Sequence, residues 1–183
     1  MKNISGGMQR RLRLASTLVH SPELLFLGEP TAGIDPVLPR KFWDYFNDLR
    51  SSGSTLFVTT QYVSEAAYCD MVGVMNEGRL LLVATPEGLR KRADGGEIID
   101  LTTRERIDYQ LAHGLRNLPF VQAPIDRVGD TEARILVDEA STAMPAIVEW
   151  CRNNNLTIES IQEYLPPFDD VFVKLIQGQT NNA

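Results

Sequence analysis

The chain has 183 residues, is 43% hydrophobic and 23% charged, and carries a formal net charge of -6. These values are close to the average for a globular protein, so they argue against collagen, coiled coil and wholesale disorder. Two cysteines without CxxC spacing and only two histidines argue against a disulfide scaffold or a structural zinc site. At roughly 150 residues per domain, the length allows one domain or two small ones.

The first half of the chain alternates helix and strand patterns, as in an α/β protein with a parallel sheet. The apolar run 24–27 is continuous, which is typical of a strand buried on both faces. In chain order the patterns predict a helix from Ser5, a strand over 24–27, a helix from Asp35 and a strand over 55–60. A short helix at Glu65, a hairpin formed by 71–75 and 79–84, and a helix from Pro86 are predicted to follow.

The order of elements changes after Asp94-Gly95-Gly96, which is the predicted domain boundary. The β-α-β-β-α-β order beyond it predicts a small α+β ferredoxin-like domain over 97–178, and the tail from Gly178 is expected to be disordered. The elements are strands over 97–103, 120–128, 132–138 and 156–164, helices over 104–117 and 141–153, and a closing helix over 168–177.

The charge is distributed unevenly between the halves. Residues 1–92 hold 11 Lys and Arg against 9 Asp and Glu, whereas residues 93–183 hold 7 against 15. A protein that binds the phosphate backbone needs a basic face, so we expect no nucleic acid partner.

Glu29 follows the predicted strand 24–27 directly. A carboxylate at the end of a buried strand is costly, and ligands of open α/β sheets bind at the carboxyl ends of strands. A glutamate there can orient or deprotonate a water molecule. The alternative, a structural glutamate in a salt bridge, stays open at this point.

Ser5, Gly6 and Gly7 stand at the start of the first predicted helix. Exposed N–H groups and the helix dipole make such a position an anion site, although Ser-Gly-Gly is also ordinary loop chemistry. The specific signal is the order of three segments, which read SGGMQRR, LLFLGEPTAGID and VTTQ.

In this order the sequence resembles the ATP-binding subunits of ABC transporters, and most of all the drug- and antibiotic-export ATPases of the daunorubicin-resistance type. Residues 4–11 resemble the ABC signature, 24–29 the Walker B strand, 32–35 the D-loop, 58–61 the switch loop, and 166–172 the closing segment of the C-terminal domain.

The resemblance implies a partial P-loop NTPase domain over 1–92, followed by the accessory domain over 97–178. Two ATPase domains of the family hold two ATP molecules with Mg²⁺ between them. We therefore expect ATP and Mg²⁺ as cofactors, a second ATPase subunit in a homo- or heterodimer, and a transmembrane permease as partners. The location implied is cytoplasmic, on the inner face of the cell membrane through the permease.

The resemblance also implies residue roles. Ser5, Gly6, Gly7 and Gln9 of the signature would contact a nucleotide held mainly by the partner subunit. Asp35 would couple the two sites. Glu29 would polarise the attacking water, and Gln61 stands where the family has its switch histidine.

Three departures from the family predict a catalytically impaired chain. No GxxxxGK(S/T) occurs in the 183 residues, so the main phosphate cradle is missing and we expect a C-terminal fragment. Gly28 stands where the family has the aspartate that serves Mg²⁺. Gln61 keeps an amide donor but does not titrate as histidine does.

Two other functions remain open. The chain could be a non-catalytic partner that donates its signature to a complete ABC ATPase subunit. The acidic domain could instead be a small-molecule sensor. Because the sequence reveals no cluster of convergent polar residues there, dimerisation or regulation of the ATPase is the preferred interpretation.

Overall fold

The computed structural model describes residues 6–20, 22–33, 39–122 and 125–180. Ser5 and Asp35, and with them the predicted start of the second helix, lie outside the described residues. The chain divides into two compact units, residues 1–68 and 69–183. None of the helices in the described ranges is long and apolar enough to cross a membrane.

The first unit contains a parallel pair of strands, as predicted. The pair runs in register from Leu24 opposite Thr55 to Gly28 opposite Thr59. Its elements are α1 (Gly6–Leu18), β1 (Leu24–Gly28), α2 (Pro39–Ser51), β2 (Thr55–Thr59) and a 3-10 helix (Val63–Tyr68).

The core of this unit is built around Trp43 of α2. Its indole packs edge-on against Phe46 and stacks on Tyr68, with ring centroids 5.5 Å and 5.4 Å away. Leu25 and Leu27 of β1 are buried as well. The buried apolar residues of this unit thus lie on α2 and at alternate positions of β1.

The expectation that β1 is buried on both faces is wrong. Leu25 and Leu27 are buried, but Phe26 between them is 73% exposed and lies 5.6 Å from the ring of Phe57 in β2. Successive side chains of a strand point to opposite faces, and the described elements cover only one face of this two-stranded sheet. A continuous apolar run does not reveal which of its faces is covered.

The second unit begins with an antiparallel hairpin. Glu77 and Gly78 at its tip both have positive φ, 48° and 74°, as a type I′ turn requires. The unit comprises β3 (Val72–Asn76), β4 (Arg79–Ala84), α3 (Pro86–Asp94), β5 (Glu97–Thr103), α4 (Tyr109–Arg116), β6 (Asp126–Arg127), β7 (Glu132–Val137), α5 (Ala140–Asn153), β8 (Ile158–Tyr164) and α6 (Phe168–Thr180).

Strands β5 to β8 form one antiparallel sheet in the order β6-β7-β5-β8. Alternate residues of β5 and β7, among them Ile99 and Ile135, join Leu115 of α4 and Ile147 of α5 in a fully buried cluster. The helices α4 and α5 thus cover one face of the sheet.

Three predicted boundaries in this unit are wrong. Of the strand predicted over 120–128, the described residues form only β6 and a single bridge from Val121 to Val137, and residues 123–124 lie outside the described part of the chain. The helix predicted from residue 104 begins at Tyr109, where the side chain of Asp108 caps it. Helix α6 continues through Gly178 to Thr180, where disorder was expected.

Candidate functional site

Glu29 lies immediately beyond the carboxyl end of β1. Its N–H donates to the carbonyl of Thr59 at 2.8 Å, which continues the pairing of β1 with β2 by one step. Its φ is 47°, a left-handed conformation that costs a residue with a side chain on the order of 1–3 kcal/mol. Such a conformation persists only where the surroundings hold it, and it is concentrated at functional sites.

The structure brings Glu29 and Gln61 together. The backbone N–H of Gln61 donates to Oε2 of Glu29 at 3.2 Å. Glu29 is half-buried and Gln61 is exposed, so the carboxylate sits at the surface of the sheet edge. The donor is the backbone N–H of Gln61 and not its side-chain amide. The residue type at position 61 therefore did not predict this contact.

A buried pair behind this site was missed in the sequence. Oγ1 of Thr31 donates to Oε1 of Glu65 at 2.5 Å, and the two residues are only 2% and 5% exposed. The bond joins the loop after Glu29 to the 3-10 helix after Gln61. A buried carboxylate requires such a partner, but nothing in the local pattern around Glu65 marks that glutamate as buried.

Gly28 has room for a side chain. A β-carbon added there would have only Oγ1 of Thr59 within 4 Å, at 3.8 Å, which is an ordinary contact. Packing therefore does not account for the glycine. No group of three or more acidic, histidine or cysteine side chains among the described residues could hold a metal ion. Gly28 itself offers no side-chain oxygen for Mg²⁺.

The signature residues belong to a different element, α1. Gly6 is exposed at the first position of this helix, and a β-carbon added there would meet nothing within 4 Å. Gly7 follows in the same turn, Gln9 is exposed, and the first turn holds no acidic residue. Among the described residues nothing packs against Gly6, so the start of α1 fits an anion such as a phosphate group. The predicted contributions of Ser5 and Asp35 lie outside the described residues.

The amino-acid sequence is similar to those of known proteins over most of the chain. A daunorubicin resistance ATP-binding protein of Streptomyces coeruleorubidus is 34% identical over 98% of this chain and 56% of its own length. A fluoroquinolones export ATP-binding protein of Mycobacterium tuberculosis is 34% identical over 96% of the chain and 50% of its own length. A probable multidrug ABC transporter ATP-binding protein of Escherichia coli is 41% identical over 58% of the chain. No protein-family model matches the chain.

Over nearly its whole length, the chain is thus homologous to ABC transporter ATP-binding proteins. Within that family, its relatives include the daunorubicin and multidrug resistance proteins of export systems. The chain spans about half the length of the relatives that it matches end to end.

Proposed function

We propose that this chain supplies the signature, Walker B and switch segments of an ATP-hydrolysing subunit of an ABC export transporter. The observation that carries this proposal is the position of Glu29 at the carboxyl edge of β1, held by the N–H of Gln61 at 3.2 Å. A half-buried carboxylate fixed at that edge is suited to orient and polarise an attacking water. Its strained backbone supports a functional rather than a purely structural role.

We also propose that catalysis by this subunit is impaired. Gly28 provides no oxygen to the shell of Mg²⁺, although a side chain would fit there. Gln61 has an amide donor but no titratable group at the position of the family's histidine. Both departures from the family's residues would lower the electrostatic stabilisation of the transferred phosphate group. Glu29, in contrast, is the residue type that the family has at its position.

The domain arrangement belongs to the same proposal. Residues 1–92 would form part of an ABC ATPase domain and residues 97–178 a ferredoxin-like accessory domain. The element order β5-α4-β6-β7-α5-β8 and the strand order β6-β7-β5-β8 support the accessory assignment.

The relatives suggest the cofactors and partners of the whole assembly. They are ATP-binding proteins of resistance and export systems, so we propose ATP as the nucleotide, with its phosphates near the start of α1. Mg²⁺ would accompany ATP, but none of the described residues is assigned to it. A second ATPase subunit and a transmembrane permease complete the proposed assembly, on the cytoplasmic face of the membrane.

A second candidate function is that of a non-catalytic partner. The start of α1, which carries Gly6 and Gly7, belongs to the same unit as an incomplete Walker B segment. Such a chain would complete the site of an intact ATPase subunit through its signature without hydrolysing ATP itself.

Mixing the chain with a purified daunorubicin-resistance relative distinguishes these functions. ATP turnover is measured for each protein alone and for the mixture, with wild-type chain and with Ser5→Ala. Stimulation that Ser5→Ala removes supports the partner function, and an unchanged rate supports the impaired subunit. Rapid turnover by the chain alone that persists in Glu29→Gln contradicts both.

A further inference from the structure

Two segments of the first unit follow the strands β1 and β2, and each carries one residue of the candidate site. Glu29 begins the segment after β1, and Gln61 lies in the segment after β2. The hydrogen bond from the Gln61 N–H to Oε2 of Glu29, 3.2 Å long, joins the two segments at the surface. A bond at the surface exchanges with bonds to water, so its net contribution is small and it does not by itself hold the carboxylate.

The segment after β1 is a tight turn. The N–H of Ala32 donates to the carbonyl of Glu29 at 3.2 Å, with Pro30 and Thr31 at the two central positions. Proline is favoured at the first central position because its ring has already fixed φ. Pro30 and Thr31 are both buried. A displacement of Thr31 would therefore move Glu29, since the turn leaves little freedom between them.

Hydrogen bonds also fix the segment after β2. Oγ1 of Thr60 accepts from the N–H of Tyr62 at 3.0 Å, and the carbonyl of Tyr62 accepts from the N–H of Glu65 at 2.9 Å. These bonds lead into the 3-10 helix Val63–Tyr68, in which Glu65 is buried. Gln61 lies between Thr60 and Tyr62, so its backbone is held at a fixed place relative to Glu65.

The bond from Thr31 to Glu65 closes these contacts into a ring. The two segments are thus cross-linked twice, once at the surface by the bond to Glu29 and once in the interior. A hydrogen bond is stronger in the low dielectric of the interior than in water. The interior bond is therefore the cross-link that fixes the ring, and the surface bond follows from it.

We propose that Thr31 and Glu65 are positioning residues, whose interior bond holds the carboxylate of Glu29 against the N–H of Gln61. The importance of this bond for catalysis rests on the proposed function of Glu29, because a group that orients water acts only from hydrogen-bond distance in the correct geometry. The positioning itself involves no nucleotide and is measured on the chain alone.

The contact between Glu29 and Gln61 is followed by the NMR resonance of the Gln61 amide proton in the full chain. Glu29→Gln replaces a charged acceptor with a neutral one and should shift this resonance. The size of the shift is compared in wild type and in chains that also carry Thr31→Val, Thr31→Ser or Ser54→Ala. Ser54 is the matched control, because its hydroxyl donates to the carbonyl of Pro22 at 2.9 Å and joins the segments before the same two strands.

Thr31→Val should reduce the shift caused by Glu29→Gln about twofold or more, whereas Thr31→Ser and Ser54→Ala should leave it unchanged. Glu65→Gln keeps a neutral acceptor for the Thr31 hydroxyl and should give an intermediate reduction, which decides the outcome if Thr31→Val does not fold. Equal shifts in all backgrounds, an equal reduction by Ser54→Ala, or no response of the Gln61 proton in wild type would overturn the proposal. ATP turnover is measured separately, so failure of the positioning and failure of the proposed function are distinguishable.

Discussion

The hydroxyl of Thr31 donates a 2.5 Å hydrogen bond to the carboxylate of Glu65, and both residues are buried. Thr31 lies two residues after Glu29, and Glu65 lies four residues after Gln61. The pair thus links the segment after Glu29 to the segment after Gln61. The same two segments are also joined by the bond from the Gln61 N–H to Glu29. We interpret it as the support that keeps Glu29 at the edge of the sheet.

Thr31→Val should destabilise the first unit by about 1–3 kcal/mol, because it removes the hydroxyl and leaves a buried carboxylate short of a donor. Thr31→Ser keeps the hydroxyl and is the matched control. The measurement is denaturant unfolding followed by the fluorescence of Trp43 in a Trp150→Phe background. Equal stability of the Val and Ser variants would show that the bond contributes nothing.

The two units should differ in stability. Strands β1 and β2 form a two-stranded sheet with Phe26 and Phe57 exposed, whereas Ile99 and Ile135 of the larger sheet are completely buried. Hydrogen exchange should be slower in β5 and β7 than in β1 and β2 by roughly a hundredfold or more, a difference of about 3 kcal/mol. Equal protection in the two units would contradict this expectation.

Glu97 should make stability depend on pH. Its Oε2 accepts from the N–H of Ala140 at 2.7 Å, at the start of α5, where Glu139 makes no side-chain cap. This bond, with a smaller contribution from Lys91, lowers the pKa of Glu97 below its ordinary value. Because the pKa of Glu97 is lower in the folded protein than in the unfolded chain, its ionised carboxylate stabilises the fold at pH values above the unfolded pKa of about 4.3. This stabilisation is lost as the pH falls through the pKa of the folded state.

Glu97→Gln should therefore lower the free energy of unfolding by on the order of 1 kcal/mol at pH 7, and the difference from wild type should shrink below about pH 4. The measurement is urea unfolding of the second unit at several pH values, with Glu149→Gln as the control. A deficit that stays constant down to pH 2 would mean that ionisation of Glu97 is not its cause.

Local signals in the sequence predict much of the fold. The β3–β4 hairpin follows from Glu77-Gly78 between apolar runs, and α3 follows from Thr85, which caps it, and Pro86 at its first position. The parallel pairing of β1 with β2 follows from their alternation with helices. The hairpin and the helix start depend on neighbouring residues, and the parallel pairing follows from the regular alternation of strands and helices, so the sequence alone predicts them.

Features that depend on distant segments were not predictable in this way. The exposure of Phe26 depends on which elements cover β1, and the burial of Glu65 depends on Thr31 of another loop. The position of Glu29 directly after a strand was predictable, but the partner of its carboxylate is a backbone N–H, which no residue type reveals.

We propose that Glu29 activates water at a Walker B edge that Gly28 has weakened. A direct test fuses a GxxxxGK(S/T) P-loop segment from an ABC ATPase to the start of this chain and measures Mg²⁺-dependent ATP turnover. We predict low turnover in the fusion, a rise of about tenfold or more with Gly28→Asp, and a loss of roughly a hundredfold when Glu29→Gln is added. Turnover in the Gly28→Asp fusion that is unaffected by Glu29→Gln would contradict the claim.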